Sequence, residues 1–174
     1  TPPMGWNSWN CWARDVTQEQ ILSSARAMVE KGLADHGWSY INIDDGWQGR
    51  RGGRYNAIQP NKKFPDMAAL TREIHDMGLR VGIYSTPWIG TYAAHIGSYS
   101  DRPDGENEWL EKGLHNEDYR YQKPGGNYWE DRCEVWHHGP YSFVEADVKQ
   151  WAEWGIDYLK YDWSPNDLHY TQEM

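Results

Sequence analysis

A lysine and an aspartate two positions apart, near the end of the chain, are the first residues whose types and spacing could do chemistry. Residues 158–162 read YLKYD, an aromatic and aliphatic stretch that carries two opposite charges. In a β-strand this spacing places Tyr158, Lys160 and Asp162 on one face, because side chains alternate along a strand. A strand that feeds a reactive site would end in such a carboxylate with a cation beside it. A structural ion pair is the alternative that the pattern leaves open.

A second acidic group follows an earlier apolar run. Asp44 and Asp45 come directly after residues 38–43, which read as a strand, and they precede Gly46. Adjacent strand residues point to opposite faces, so one of the two needs loop geometry to reach a shared pocket. No cation stands beside them in the sequence, and we expect them to accept hydrogen bonds from a bound ligand. A solvated turn is the alternative.

These residue types favour glycoside chemistry. The three carboxylates are accompanied by Lys160, by Tyr84 at the end of a third apolar run, and by 12 Trp and 12 Tyr against 2 Phe. Glycoside hydrolysis uses two carboxyl groups across an oxocarbenium-like transition state, and Trp and Tyr offer a sugar a flat apolar face with a polar handle. Because Lys160 is close to Asp162 in the sequence, we predict that Asp162 is ionised and acts as a nucleophile.

The composition argues against several other classes of function. The 174 residues carry a net charge of -9 without a run of Lys or Arg, so no nucleic-acid partner is expected. No apolar run approaches the ~20 residues of a membrane span, so no membrane partner is expected. Cys133, His137 and His138 match no zinc pattern, and we expect neither a metal site nor a cofactor. Cys11 and Cys133 are the two cysteines of the sequence, and they could form one disulfide or remain two thiols.

Three amphipathic helices must position these residues. Capping patterns at residues 17–20 and 142–145, and Asp66, mark where the helices begin. We place Trp38, Trp151 and Trp154 in the core. The apolar stripes comprise Ile21, Leu22, Ala25, Met28, Val29 and Leu33; Met67, Leu70, Ile74 and Met77; and Val144, Val148, Trp151 and Ala152, with Trp154 following.

Helices that alternate with short strands predict a parallel α/β sheet. A doubly wound sheet and a (β/α)8 TIM barrel both satisfy this, and the absence of a Gly-rich phosphate loop after the first strand favours the barrel. The chain would supply about the first four βα units. Half a barrel would expose sheet edges, so we expect the natural chain to continue past Met174. Residues 49–65 predict a loop, and residues 90–139 or so predict a long loop insertion.

Four stretches of the sequence carry a resemblance to a known family. They are TPPMGWNSWN at residues 1–10, YINIDDGW at 40–47, GLRVGIY at 78–84 and WGIDYLKYD at 154–162. In this order the sequence resembles glycoside hydrolase family 27, the α-galactosidase or melibiase family, over nearly its whole length except the insertion. The resemblance implies a (β/α)8 catalytic barrel, usually followed by a β-sandwich domain. It also implies hydrolysis of terminal α-galactosides with retention of configuration.

The resemblance assigns roles to residues of this sequence. Asp162 matches the nucleophile, and the acid/base aspartate comes from a later strand, so this chain alone is expected to be inactive. Its expected partners are a carbohydrate substrate, the remaining half of the barrel and a C-terminal β-sandwich, and the resemblance favours a secreted or periplasmic location. We predict substrate contacts from Trp9, Asp44, Asp45, Tyr84, Lys160, Trp88 and Trp163.

Departures from the family pattern leave the specificity open. Gly46 and Ser164 stand where eukaryotic members have cysteines, so Cys11 lacks its usual partner. Aromatic residues in and next to the insertion would reshape the rim of the pocket or add subsites; they are Trp88, Tyr92, Trp109, Tyr128, Trp129 and Trp136. The Asp44–Asp45 pair favours galactose, against relatives that act on isomalto-oligosaccharides of dextran or on β-L-arabinopyranosides. A non-catalytic carbohydrate-binding protein on a glycosidase scaffold is the alternative from a different class.

Overall fold

Four parallel strands, connected by helices, form the central sheet of the chain. The computed structural model describes residues 3–93, 95–106, 138–162 and 168–174. The strands are β1 (Gly5–Asn7), β2 (Tyr40–Ile43), β3 (Gln48–Gly52), β4 (Ala57–Pro60), β5 (Arg80–Ser85), β6 (Tyr99–Ser100), β7 (Tyr141–Ser142) and β8 (Tyr158–Tyr161). The helices are α1 (Trp9–Trp12), α2 (Gln18–Glu30), α3 (Met67–Asp76), α4 (Val144–Trp154) and α5 (Leu168–Glu173), with 3-10 turns at Ala13–Asp15 and Ala34–His36.

The main sheet follows the chain order, β1-β2-β5-β8, and every pair in it is parallel. The predicted parallel α/β sheet is therefore confirmed. The register aligns Tyr84 of β5 with Lys160 of β8, and Ile43 of β2 with Ile83 of β5. Because parallel strands end at the same edge of a sheet, the residues that follow β1, β2, β5 and β8 converge on one side of the molecule.

Two of the three predicted helix caps are confirmed. Thr17 forms a complete capping box: its hydroxyl accepts from the Gln20 amide at 3.3 Å, and the Gln20 side chain accepts from the Thr17 amide at 2.9 Å. The Asp66 carboxylate accepts from the amide of Ala69 at 2.8 Å. The third helix, α4, begins at Val144, within the predicted range, but the predicted capping box is wrong because its N-cap residue, Phe143, makes no side-chain hydrogen bond.

One hydrophobic core lies between the main sheet and α2, α3 and α4, and it contains Trp151, with Trp154 packed against it. Several predicted core positions are instead exposed: Val29, Leu33, Trp38, Val148 and Ala152. Leu33 lies beyond the end of α2 at Glu30. On α4 the buried face is rotated, because Asp147 and Gln150 are buried in addition to Val144 and Trp151.

Residues 48–60 form an antiparallel hairpin of β3 and β4, so the prediction of a loop here is wrong. Ala57 and Ile58 of β4 are fully buried, and an ion pair also joins the hairpin to α4. Arg51 donates to both carboxylate oxygens of Asp147 on α4, at 2.6 and 3.1 Å, and also to the carbonyl of Gly97 at 2.7 Å. This ion pair, with both side chains at most 1% exposed, fastens the hairpin to α4. Hydrophobic periodicity could not have revealed it.

The described ends of the predicted insertion meet in a small antiparallel ladder. Tyr99 of β6 pairs with Ser142 of β7, and Ser100 pairs with Tyr141. Residues 107–137 of the insertion lie outside the described residues. Among the helices that are described, none is long and apolar enough to cross a bilayer.

Candidate active site

A cavity of about 190 Å³ opens at the edge where the parallel strands end. Asp162 and five of the predicted substrate contacts line it, and the structure therefore gathers side chains that are up to 153 positions apart in the sequence. Tyr92 is an additional member, one of the aromatic residues that were expected to reshape the rim of the pocket. The full lining is Trp9, Asp44, Asp45, Tyr84, Tyr92, Lys160 and Asp162.

Asp44 is the most heavily hydrogen-bonded carboxylate in the cavity. Its Oδ2 accepts from Asn7 Nδ2 at 2.6 Å and from Lys160 Nζ at 2.8 Å, and its Oδ1 accepts from the Asp45 amide at 2.8 Å. The side chain is 2% exposed, so these charge-assisted bonds offset the loss of water. Two expectations are corrected here: Asp44 does have a cation beside it, and Lys160 forms its ion pair with Asp44 rather than with Asp162.

Asp45 reaches the same cavity through a tight turn. Gly46 follows with φ at +115°, and a Cβ on it would lie 2.6 Å from a backbone oxygen, so the turn requires glycine. The Asp45 carboxylate accepts from the hydroxyl of Thr91 at 2.8 Å and from the amide of Ala93 at 2.6 Å. Nδ1 of His95 lies 3.4 Å from the same carboxylate, so a group that can carry a positive charge borders Asp45 as well.

Asp162 follows the last residue of β8 and is half-buried. Tyr84, which is 1% exposed, donates its hydroxyl to Asp162 Oδ2 at 3.3 Å. Burial raises the pKa of Asp162, and nearby Asp44 and Asp45 raise it as well, while Lys160 and the Tyr84 hydroxyl lower it. The net shift is upward. Lys160 does favour the ionised form of Asp162, as predicted, but burial outweighs its effect on the pKa.

Tyr84 is held in its neutral form. Burial raises its pKa well above the ordinary value, and the carboxylates of Asp45, Asp162 and Asp44 raise it further. A neutral phenol in this position is a hydrogen-bond donor. Tyr84 thus contributes a donor to a cavity that is otherwise dominated by acceptors.

Trp9 is positioned by its neighbour Asn7. The Trp9 backbone amide donates to Oδ1 of the Asn7 side chain at 2.9 Å. Nδ2 of the same Asn7 side chain donates to Asp44. Trp88 is 4% exposed and lies outside the lining, where it packs edge-on against Tyr92 with ring centroids 5.6 Å apart. Substrate contact by Trp88 stays a prediction. Trp163, also predicted to contact substrate, lies outside the described residues.

Sequence reasoning missed the residues that support the carboxylates. Asn7, Thr91 and His95 contact Asp44 or Asp45 across the sheet, and no local spacing links them to these carboxylates. Tyr92 and Thr91 lie within the predicted insertion, where the sequence has no periodicity. For Thr91 the adjacency to the end of β5 was the one available signal, whereas the aromatic ring of Tyr92 had already indicated a place at the rim of the pocket.

The described residues contain no group of three His, Cys, Asp or Glu side chains placed to hold a metal ion. Cys133 and His137 lie outside the described residues. His138 is described, and its Nδ1 lies 2.6 Å from the carbonyl oxygen of Pro87, with its ring stacked on Tyr170. Cys11 is an exposed free thiol.

Comparison with known proteins identifies the family. The family described as alpha galactosidase A, or melibiase, matches residues 1–111. A probable alpha-galactosidase B of Neosartorya fischeri is 34% identical over 165 residues, which are 92% of this chain and 28% of that protein.

Solved structures agree with this match. Alpha-galactosidase I from Mortierella vinacea is 31% identical with a TM-score of 0.65, and the match covers 93% of this chain and 31% of that one. An alpha-galactosidase from Saccharomyces cerevisiae, solved with raffinose, is 26% identical with a TM-score of 0.63, and the match covers 92% and 26% of the two chains. The chain thus spans about a quarter to a third of the relatives it matches. It belongs to the alpha-galactosidase, or melibiase, family of glycoside hydrolases, family 27.

Proposed function

We propose that the full-length protein is a retaining glycoside hydrolase that releases terminal α-linked galactose, with Asp162 as its nucleophile. The observation that carries the proposal is the position of Asp162 at the end of a parallel strand, in one cavity with two hydrogen-bonded carboxylates, a lysine and an aromatic wall. The names of the relatives support galactose as the sugar. The structure of one relative was solved with raffinose, so raffinose is one substrate to test.

The proposed architecture is a (β/α)8 barrel to which this chain contributes about the first four βα units. Sequential parallel order in the main sheet, with the site at the strand ends, is what such a barrel requires. Residues 1–174 would then form the N-terminal half of the catalytic domain, with an insertion at about 90–139. The other half of the barrel and a C-terminal β-sandwich would complete the protein.

In the proposed mechanism each residue of the cavity has a separate task. Asp44 and Asp45 are already oriented by protein donors, so their remaining lone pairs are available to sugar hydroxyls without a cost of ordering. The Asp162 carboxylate attacks the anomeric carbon, forming a glycosyl-enzyme ester as the leaving oxygen takes a proton from the acid/base residue. Water then cleaves the ester with the same residue acting as the base. That residue would lie on a later strand, about 5–5.5 Å from Asp162, as retention requires.

Tyr84 and Lys160 would tune this nucleophile. Asp162 must be ionised to attack, yet burial raises its pKa, and the Tyr84 hydroxyl and the Lys160 ammonium counteract this. Lys160 also holds Asp44, so one cation serves both the nucleophile and the sugar-binding carboxylate.

The test is hydrolysis of aryl glycosides by the full-length protein and its Asp162→Asn variant. We expect the wild type to hydrolyse an aryl α-galactoside faster than the α-glucoside and the β-L-arabinopyranoside. Asp162→Asn, which keeps the size of the side chain, should lose at least about 1,000-fold in kcat. Hydrolysis of the galactoside by this variant at the wild-type rate would refute the role of Asp162. A wild type that prefers one of the other two glycosides would refute galactose.

A wild type that binds galactose but hydrolyses none of the glycosides would instead indicate a carbohydrate-binding protein on a glycosidase scaffold. The matched control is Glu145→Gln, a carboxylate on the exposed side of α4 that pairs with Lys149 at 2.6 Å. Its kinetics should equal those of the wild type.

A further inference from the structure

Tyr92 forms part of the cavity wall although it lies in the segment after β5, outside the predicted set of sugar contacts. Its side chain lines the same cavity as Asp162, Trp9 and the paired carboxylates. It is not an isolated surface ring, since Trp88 packs edge-on against it at 5.6 Å with an interplanar angle of 64°. Edge-to-face pairs of this kind are favourable and restrict ring motion.

The backbone on both sides of Tyr92 is fastened to a sugar-binding candidate. Thr91 donates its hydroxyl to Asp45 Oδ1 at 2.8 Å, and Ala93 donates its amide to Asp45 Oδ2 at 2.6 Å. The Asp45 carboxylate is therefore clamped by the two residues that flank Tyr92. Tyr92 and Asp45 line the same cavity, so a sugar hydroxyl bound by Asp45 brings the sugar next to this ring.

Tyr92 also lies near the reactive side of the cavity. Tyr84 and Asp162 are part of the same lining. Tyr84 in turn donates to Asp162. The wall formed by Tyr92 thus borders both the carboxylate that would hold the sugar and the tyrosine that contacts the nucleophile.

We propose that Tyr92 is a further sugar-contacting residue, whose ring face, held by Trp88, packs against the C–H groups of the galactosyl unit bound at Asp45. This inference rests on the proposed galactosidase function and adds a specific residue to it. A ring that packs on C–H groups acts mainly through binding. Its removal should therefore affect KM and the inhibition constant of galactose more than kcat.

The experiment compares Tyr92→Ala and Tyr92→Phe in the full-length protein, with galactose as a competitive inhibitor of aryl α-galactoside hydrolysis. Tyr92→Ala should raise both KM and the inhibition constant about tenfold, the size expected when most of one aromatic contact is lost. The value of kcat should change by less than about threefold. Tyr92→Phe keeps the ring and should remain within about twofold of the wild type.

Tyr141→Ala is the matched control, because Tyr141 is an exposed tyrosine that is not part of the cavity lining, and it should leave all three constants unchanged. Tyr92→Leu fills the wall without an aromatic face, and thermal unfolding identifies any variant that fails to fold. If Tyr92→Ala and Tyr92→Leu fold and bind galactose as the wild type does, the inference is overturned while the proposed function stands. If Tyr92→Phe loses as much affinity as Tyr92→Ala, the hydroxyl and not the ring makes the contact, and the inference is likewise overturned. A wild type without galactosidase activity would refute the proposed function itself.

Discussion

The hydrogen bond from Tyr84 to Asp162 gives a quantitative test of how the nucleophile is tuned. Tyr84→Phe removes one hydroxyl and keeps a ring that is 1% exposed. The bond from Trp47 Nε1 to Tyr84 is made to the backbone carbonyl, at 3.0 Å, and survives the substitution. The change is therefore confined to the donor that faces Asp162 Oδ2.

The sign and size follow from the geometry. The hydroxyl stabilises the ionised carboxylate, so its loss raises the pKa of Asp162 beyond the rise that burial already causes. A hydrogen bond to a charged group contributes about 1.5–3 kcal/mol at good geometry. The oxygen–oxygen distance of 3.3 Å is longer than is usual for such bonds, and we therefore take about 1 kcal/mol. At 1.36 kcal/mol per unit, this corresponds to a rise of about 0.7 pKa unit.

The assay is the pH dependence of kcat/KM for an aryl α-galactoside, whose acid limb reports the nucleophile in the free enzyme. Because Asp162 must be ionised, the acid limb of Tyr84→Phe should move up by about 0.7 pH unit. Tyr161→Phe is the control: its hydroxyl is buried and has no hydrogen-bond partner among the described residues, so the limb should not move. An acid limb that stays in place or moves down in Tyr84→Phe would refute the proposed tuning.

Two further substitutions test the supporting ion pairs. Asp147→Ala leaves the Arg51 guanidinium buried without its carboxylate, and it should lower the free energy of unfolding in urea titrations by about 3–5 kcal/mol. Glu145→Ala, on the exposed side of the same helix, is the control and should lower it by at most about 0.5 kcal/mol. Equal losses in the two variants would contradict the role assigned to burial. Lys160→Met removes the cation from Asp44 and should raise KM for the galactoside about tenfold or more. An unchanged KM would show that Asp44 does not need Lys160 to bind the sugar.

Local sequence patterns predicted the helices and the strands of the main sheet, but not which face of α4 is buried. The capping box at Thr17 and the cap at Asp66 are found as predicted, because such caps depend on residues within one turn. The hairpin of β3 and β4 was missed because the ion pair that joins it to α4 links Arg51 to Asp147, which are 96 positions apart. The same ion pair explains why α4 buries Asp147 and exposes Val148.

The sequence by itself determined which residues stand at the ends of the parallel strands, since the helix–strand alternation and the period of two along a strand are local properties. It thereby identified Asp44, Asp45, Tyr84 and Asp162 as candidates for one site. Only the tertiary structure decided which charges pair. Lys160 binds Asp44, 116 positions away, and not Asp162, which is two positions away. The reason is that neighbouring strands in register bring distant side chains within hydrogen-bonding distance, while the free energy of ionisation depends on burial and on distance in space.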